Sequence, residues 1–401
     1  MELDRESPKS EPLDPLSTRS VEPPVPADRA DDHVHHDSTI FLSYHDNDRV
    51  LSGQLPAATP SEFKWNANYR VVRLLGVGAQ GVVYLAHRQG VDGYFTKVAL
   101  KIFYRHEDVK EEAYVEEMQR IAGQAQLVSR IQHDILISIR DFVAIDGNRI
   151  MVLEYLDGLD LARLLDRERL QSLQKRLAPE SWDHLNDVIV TDGEDHCRLK
   201  SGLAVDVLRG CLAGLSALHH DNITHCDLKP SNIMIKRTGT KKIIDIDSSC
   251  VLTPDQRAVR GTPYYMAPEQ LGDRRVELGS DIAGLGYVLI EMLTGKKLFR
   301  HCKSRRELLE AKLTLPHRLE DVLPAEVLEA PVLAELVLKM IAVDPNERFA
   351  DADAADLDRV GAVSFHRQLV RDNLSTEYDR ELAWWLEAMC DTAVGPIPRN
   401  P

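Results

Sequence analysis

Between Thr224 and Ser249 the chain reads THCDLKPSNIMIKRTGTKKIIDIDSS, and no other stretch restricts the fold as tightly. Two apolar runs, Ile233-Met234-Ile235 and Ile243-Ile244, have the length and β-branched composition of strands, and Gly239 between them marks a turn. The predicted hairpin gathers Asp227, Lys229, Asn232 and Asp245 into a short span. Two carboxylates and an amide in fixed geometry suit a Mg-nucleotide site, because hard cations take oxygen ligands.

These residues resemble the protein kinase family. His225-Cys226-Asp227-Leu228-Lys229-Pro230-Ser231-Asn232 matches the family's catalytic loop H-R-D-L-x-x-x-N at every fixed position except the Arg, which is Cys226. Asp245-Ile246-Asp247 keeps only the first residue of D-F-G. Upstream, Gly76-Val77-Gly78-Ala79-Gln80-Gly81 runs into the β-branched pair Val82-Val83 instead of a helix, so the glycines are predicted in a strand-turn-strand loop. Val98-Ala99-Leu100-Lys101 is similar to the V-A-I-K strand, and Ala267-Pro268-Glu269 to the A-P-E segment. Ser280-Asp281 resembles the start of the helix that braces the catalytic loop, and Asp344 to Phe349 the closing motif, with Arg348 as the partner of Glu269.

The resemblance implies an α+β chain with the two-lobed protein kinase fold: a small β-rich N-lobe with one large helix, and a larger, mainly helical C-lobe. It implies transfer of the γ-phosphoryl group of MgATP to a Ser or Thr hydroxyl of a protein substrate. Gly76, Val77, Gly78 and Gly81 with Lys101 would hold the triphosphate. Val83, Ala99, Met234 and Ile244 join the nucleotide-binding set, Glu154 and Leu156 would offer backbone groups to the base, and Asp160 would face the ribose. Asn232 and Asp245 would hold Mg2+, or Mn2+ in its place. Asp227 would orient the acceptor hydroxyl and take its proton, Lys229 would touch the γ-phosphate, and Thr262 would bond both. A Lys at 229 resembles the Ser/Thr-directed members.

Three departures stand against this pattern. Gln124 occupies the place of the helix Glu that pairs with the strand Lys in the family, with Glu117, two turns earlier on the same face, as the second choice. Cys226 removes the guanidinium that reads an activation-loop phosphate, so activity is expected not to depend on that phosphate. Asp247 replaces Gly, removing backbone freedom and adding charge beside the metal position. These departures keep open a second reading, a pseudokinase acting as a nucleotide-binding scaffold or regulatory interaction module.

A net charge of -15 argues against nucleic acid and anionic membranes as partners. Six scattered cysteines without metal-ligand spacing suit reduced thiols, and no 18 apolar residues run uninterrupted, so a cytoplasmic protein with no membrane span is expected. Residues 1–60, acidic and Pro-rich, read as a largely disordered extension. The kinase domain is placed at 61–350, with its N-lobe at about 69–156 and its C-lobe at about 157–350. Within the C-lobe, residues about 167–200 read as an insertion, a short helix and a strand pair outside the catalytic machinery, with His184 and His196 on the surface. Residues 351–401 form a helical tail carrying Trp384 and Trp385, adjacent indoles that cannot face the same way. Either both are buried or one is offered to a partner; the insertion is the other candidate partner surface.

Overall fold

Val98, Leu100 and Ile102 alternate with Lys97, Ala99 and Lys101, the period of a strand with one face on a core. In a computed structural model of the chain, which describes residues 64–66, 69–105, 109–145, 147–253, 261–273, 275–372 and 377–390, that stretch lies inside a six-stranded antiparallel sheet. The expected extension at 1–60 and the segment 254–260 lie outside the described residues. The strands are β1 (Lys64–Asn66), β2 (Tyr69–Gly78), β3 (Gly81–Gln89), β4 (Phe95–Phe103), β5 (Ile139–Ile145) and β6 (Asn148–Glu154), in the order β1-β2-β3-β4-β6-β5. One face packs a cluster around Val82, Ala86, Val98, Leu100, Ile150 and Val152. Helix α1 (Glu111–Val128) buries Tyr114, Met118, Ile121, Ala125 and Val128, spaced at three and four residues, and these join the core of the second lobe.

A linker after β6 leads to β7 (Gly158–Asp160), α2 (Leu161–Leu164), α3 (Arg167–Gln174) and α4 (Pro179–His184). A π-helical turn at Leu185–Ile189 then precedes β8 (Val190–Thr191) and β9 (Arg198–Leu199). Helix α5 (Ser201–His220) enters β10 (Ile223–Thr224), followed by the hairpin β11 (Ile233–Lys236) and β12 (Lys241–Ile243), then β13 (Cys250–Val251). The rest is helical: α6 (Pro268–Leu271), α7 (Leu278–Thr294), α8 (Arg305–Thr314), α9 (Leu319–Val322), α10 (Ala325–Leu328), α11 (Pro331–Met340), α12 (Ala352–Leu357), α13 (Ala362–Arg371) and α14 (Tyr378–Cys390). A β-rich small lobe and a mainly helical large lobe make this the two-lobed α+β kinase fold. Helix α5 is long and apolar enough to cross a membrane, but Leu203, Val207, Leu208, Leu212 and Leu215 on it are fully buried against α7, α12 and α13, the position of a core helix.

At the periphery the surface position expected of His196 is corrected, and of the two alternatives for the tryptophans the structure has both buried. The residues of 167–200 are built into the large-lobe core through Leu170, Leu173, Leu185, Ile189 and Val190. His196 is buried, with Nε2 3.2 Å from the Glu291 carboxylate, and His184 Nε2 lies 2.8 Å from Glu381. His196 is thus a core histidine, whereas His184 is half-buried. Trp384 and Trp385 are both buried, because α14 packs against α3, the π-helical turn and β11, so neither indole is presented to a partner. The docking is close: a Cβ on Gly239 would meet the Asp379 carbonyl oxygen at 1.9 Å.

The glycines of the β2-β3 hairpin divide into two kinds. A Cβ on Gly81 would lie 2.1 Å from the Ile102 carbonyl oxygen on β4, whereas one on Gly76 meets nothing and one on Gly78 only the Gly81 carbonyl oxygen at 3.9 Å. Gly81→Ala is therefore expected to destabilise the protein by about 1–3 kcal/mol, lowering Tm by a few degrees, while Gly78→Ala leaves Tm within about 1 °C. Thermal unfolding of the two variants checks this; equal Tm values would refute it.

Candidate active site

Strand register decides which small-lobe residues share a face. Val83 lies opposite Lys101, Ala99 opposite both Leu85 and Leu153, and Gly76 opposite Val83, so Val83, Ala99, Lys101 and Leu153 line one side of the sheet. Val77 and Val82 pair one step along. The Lys101 side chain is largely buried, and its ammonium donates to Asp245 Oδ1 at 2.5 Å and to Asp247 Oδ2. The β4 lysine of the small lobe thus meets the residues that follow the β11-β12 hairpin of the large lobe.

Neither Gln124 nor Glu117 is a partner of that ammonium, which corrects the expectation from the sequence. Glu117 is held by Arg120, at 2.8 and 3.1 Å, while Gln124 Oε1 is buried without a hydrogen bond. Arg120 also donates to the Asp247 carbonyl oxygen at 2.7 Å, tying α1 to the Asp245-Ile246-Asp247 segment. The i,i+3 spacing of Glu117 and Arg120 made their pairing legible, but nothing local pointed Arg120 at a residue so distant in sequence.

Asp245 adopts φ +64°, the left-handed region that non-glycine residues enter at a cost. Burial alone would raise its pKa, but Lys101 and then Lys229 outweigh that and hold it at about 2. For Asp247, which is 1% exposed, burial dominates; with Asp245 adding to it and Lys101 opposing, the carboxyl is pushed up to about 6. The Lys101 ammonium is raised: its burial acts the other way, and the two carboxylates more than offset it.

Below them the catalytic loop is a closed hydrogen-bond network. Asp227 Oδ1 accepts from the backbone N–H and Oγ1 of Thr262, at 2.8 and 2.7 Å. Its Oδ2 accepts from Lys229 Nζ at 2.7 Å and from Asn232 Nδ2 at 3.1 Å. Lys229 Nζ donates a second bond to Thr262 Oγ1, at 2.9 Å. Both Asn232 donors serve the Asp227 side, since Nδ2 also reaches the Asp227 carbonyl oxygen at 2.8 Å, so the amide oxygen is the group Asn232 can offer a cation.

The network hangs from Asp281 on α7. Its buried carboxylate accepts from the backbone N–H groups of His225 and Cys226, at 2.7 and 2.9 Å, holding Cys226 at φ +66°. His225 accepts from Asp227 N at Nδ1 and sits 3.0 Å from the Ile244 carbonyl oxygen at Nε2, which assigns the Nε2–H tautomer. Arg348 meets Glu269 in a two-pronged pair at 2.8 Å on each arm.

The remaining predicted residues surround this centre. Met234 lies opposite Asp160 across β7 and β11 and, with Ile244 and Leu153, packs half-buried against the large-lobe core. Asp160 caps α2, accepting from Arg163 N at 2.9 Å, and burial raises its pKa. The Glu154 backbone N–H already donates to the Ser138 carbonyl oxygen, which leaves its own carbonyl as the backbone group it could offer; its carboxylate accepts from Ser138 N and Lys242. Leu156 follows in the linker between the lobes, 7% exposed.

The Asp245 carboxylate beside Lys101, the Asn232 amide oxygen and the open space at Gly76 and Gly78 are groups that fit a divalent cation and a polyphosphate. Comparison with known proteins points the same way. The protein kinase domain family matches residues 69–357. The chain is 29% identical to serine/threonine-protein kinase Pkn1 of Myxococcus xanthus over 72% of its own length and 37% of that protein. It is 25% identical to serine/threonine-protein kinase PrkC of Bacillus subtilis over 73% of its length and 40% of that protein. It is 30% identical to serine/threonine-protein kinase nekl-2 of Caenorhabditis elegans over 58% and 59%. The matched stretch spans between a third and a half of the Myxococcus kinases it aligns with, 33% to 48%. With the family matched from β2 to α12, and the two lobes meeting at Lys101 and Asp245, the chain belongs to the protein kinase family.

Proposed function

We propose that this chain is a protein-serine/threonine kinase that transfers the γ-phosphoryl group of ATP to a Ser or Thr hydroxyl of a protein. The observation that carries the reading is the network in which Thr262 holds one oxygen of Asp227 while Lys229 and Asn232 hold the other, with Lys229 also bonded to Thr262. A carboxylate gripped on both oxygens has a fixed direction, and orientation of the acceptor is most of what phosphoryl transfer asks of a protein.

In this reading the acceptor hydroxyl donates to Asp227, which takes its proton as the bond to phosphorus forms. Lys229 supplies positive charge where charge moves on the transferred group. Asn232 and Asp245 would hold Mg2+, whose charge would neutralise the phosphate oxygens. The backbone of Gly76, Val77, Gly78 and Gly81 would approach the phosphates, and Val83, Ala99, Met234 and Ile244 would enclose the base, with Glu154, Leu156 and Asp160 at the hinge and ribose. Lys101 binds the α and β phosphates by exchanging its carboxylate partners for phosphate oxygens. Asp247 is the unusual competitor in that exchange, since the family has a Gly in its place.

Three measurements test this. Incubated with labelled ATP and Mg2+ or Mn2+, the wild-type chain is expected to label itself and Asp227→Ala to lose at least about a hundredfold of that rate; equal labelling would discard the enzyme in favour of a nucleotide-binding scaffold. Asp247→Asn, which removes one charged competitor for Lys101, is expected to lower the KM for MgATP by about tenfold; an unchanged KM would show that Asp247 does not restrain the lysine. Phosphatase treatment is expected to leave turnover within about threefold, since Cys226 offers no guanidinium to an activation-loop phosphate. A hundredfold drop would overturn that.

A further inference from the structure

The catalytic chemistry leaves the Cys226 thiol unused, although that sulfur sits beside the centre. Strands β10 and β13 pair antiparallel with Thr224 opposite Cys250, and Cys226 is two residues beyond Thr224. The two sulfurs come to 3.5 Å from one another, and Thr224 Oγ1 lies 3.0 Å from the Cys226 sulfur and 3.2 Å from that of Cys250. The backbone of Cys226 is pinned by Asp281, so this approach belongs to the catalytic loop's fixed geometry. Both cysteines are free thiols, Cys226 buried and Cys250 half-buried.

We propose that Cys226 and Cys250 form a redox-modification site, which a hydroperoxide converts into an intramolecular disulfide. The two thiols differ in a way that assigns their roles. The hydrogen bond from Cys226, with further help from Thr224 and Arg120, holds Cys250 below the ordinary thiol range against the effect of burial, whereas Cys226 is raised. Buried Cys197 and Cys211 are pushed up to about 12 by desolvation, which makes them poor nucleophiles. Cys250 therefore reacts first. Its thiolate attacks one peroxide oxygen, the O–O bond breaks, and the leaving oxygen departs as water after protonation, giving a sulfenic acid. The Cys226 sulfur then attacks the Cys250 sulfur, the S–O bond breaks, and the hydroxyl leaves with the thiol proton as a second water. Two thiols lose two electrons and one hydrogen peroxide becomes two waters.

A disulfide brings sulfurs to about 2.05 Å, so closing the contact draws the catalytic loop toward β13. Asp227 follows Cys226 directly, and a displacement of about 1 Å at a positioned catalytic group costs up to about a hundredfold in rate. Oxidised protein is expected to turn over at least about tenfold more slowly.

The full chain is treated with hydrogen peroxide, alkylated and digested without reductant, and its peptides are mapped by mass spectrometry. The expected result is a peptide pair joined through Cys226 and Cys250, absent after dithiothreitol, with turnover falling as it forms and returning on reduction. Exposed Cys390 serves as the internal control for peroxide exposure. If Cys390 is oxidised while Cys226 and Cys250 remain alkylatable, or if Cys250 links only between molecules, the proposal is wrong. Cross-link mapping requires no catalysis, so it stands apart from any failure of the kinase reading. Unchanged turnover in fully cross-linked protein would refute the link to the catalytic loop, and Cys226→Ser and Cys250→Ser must each resist the inhibition that wild type shows.

Discussion

The contact between Lys101 and Asp245 is the one on which the active-site architecture depends. The lysine belongs to a sheet whose strands are set by alternation within residues 69–154, and the aspartate follows a hairpin about a hundred and forty residues later; their ammonium and carboxylate meet at 2.5 Å. The lysine is largely buried and the aspartate half-buried, so each charge is stabilised by the other, with Asp247 and Lys229 as their further partners. The interaction ties β4 of the small lobe to the residues that follow the β11-β12 hairpin of the large lobe.

Buried charge is handled in two ways in the large lobe. Asp281 and Arg348 are fully partnered: the carboxylate takes two backbone N–H groups and lies 3.2 Å from His219 Nε2, and the guanidinium bonds Glu269 twice and the carbonyls of Ala342, Gly279 and Val343 besides. Such groups add little net stability over apolar replacements but allow a single loop geometry, because any other arrangement strands a charge. Lys312 takes the other course. It is fully buried, donates to the Tyr264 carbonyl oxygen at 2.7 Å, and lies over the rings of Tyr287 and Phe299 at 3.7 and 4.1 Å, with its pKa lowered well below the usual value by desolvation. It thereby fastens α8 to the loop that follows Thr262.

The departures from the family pattern fall together. Gln124 leaves Lys101 without a partner on α1, and Asp247, where a glycine would offer none, supplies one. Arg120 then takes the Asp247 carbonyl oxygen and the Glu117 carboxylate, so α1 is linked to the Asp245-Ile246-Asp247 segment through its own arginine. Gln124, Asp247 and Arg120 thus make one local rearrangement of the charges around the lysine. The Cys226-Cys250 contact lies beside it, where β13 leaves the same motif.

The hairpin and the glycine loop were legible in the sequence because apolar runs and turn residues are local signals, and the Lys101 strand and the start of α7 because they resemble family motifs. So were Asp227, Lys229, Asn232, Asp245 and Thr262 as a set, since their spacing repeats a family pattern. Which side chain meets Lys101 was not legible: Gln124, Glu117 and Asp247 compete for one ammonium, and the outcome depends on how far α1 lies from the motif. Burial of both Trp384 and Trp385 was one of the two outcomes the sequence offered, but the burial of His196 was hidden for the same reason. A helix that reads as a tail has two apolar sides only once α3, the π-helical turn and β11 enclose it. Sequence period determined which residues could form strands and helices; only packing between segments far apart in the chain decided which charges, thiols and indoles share a space.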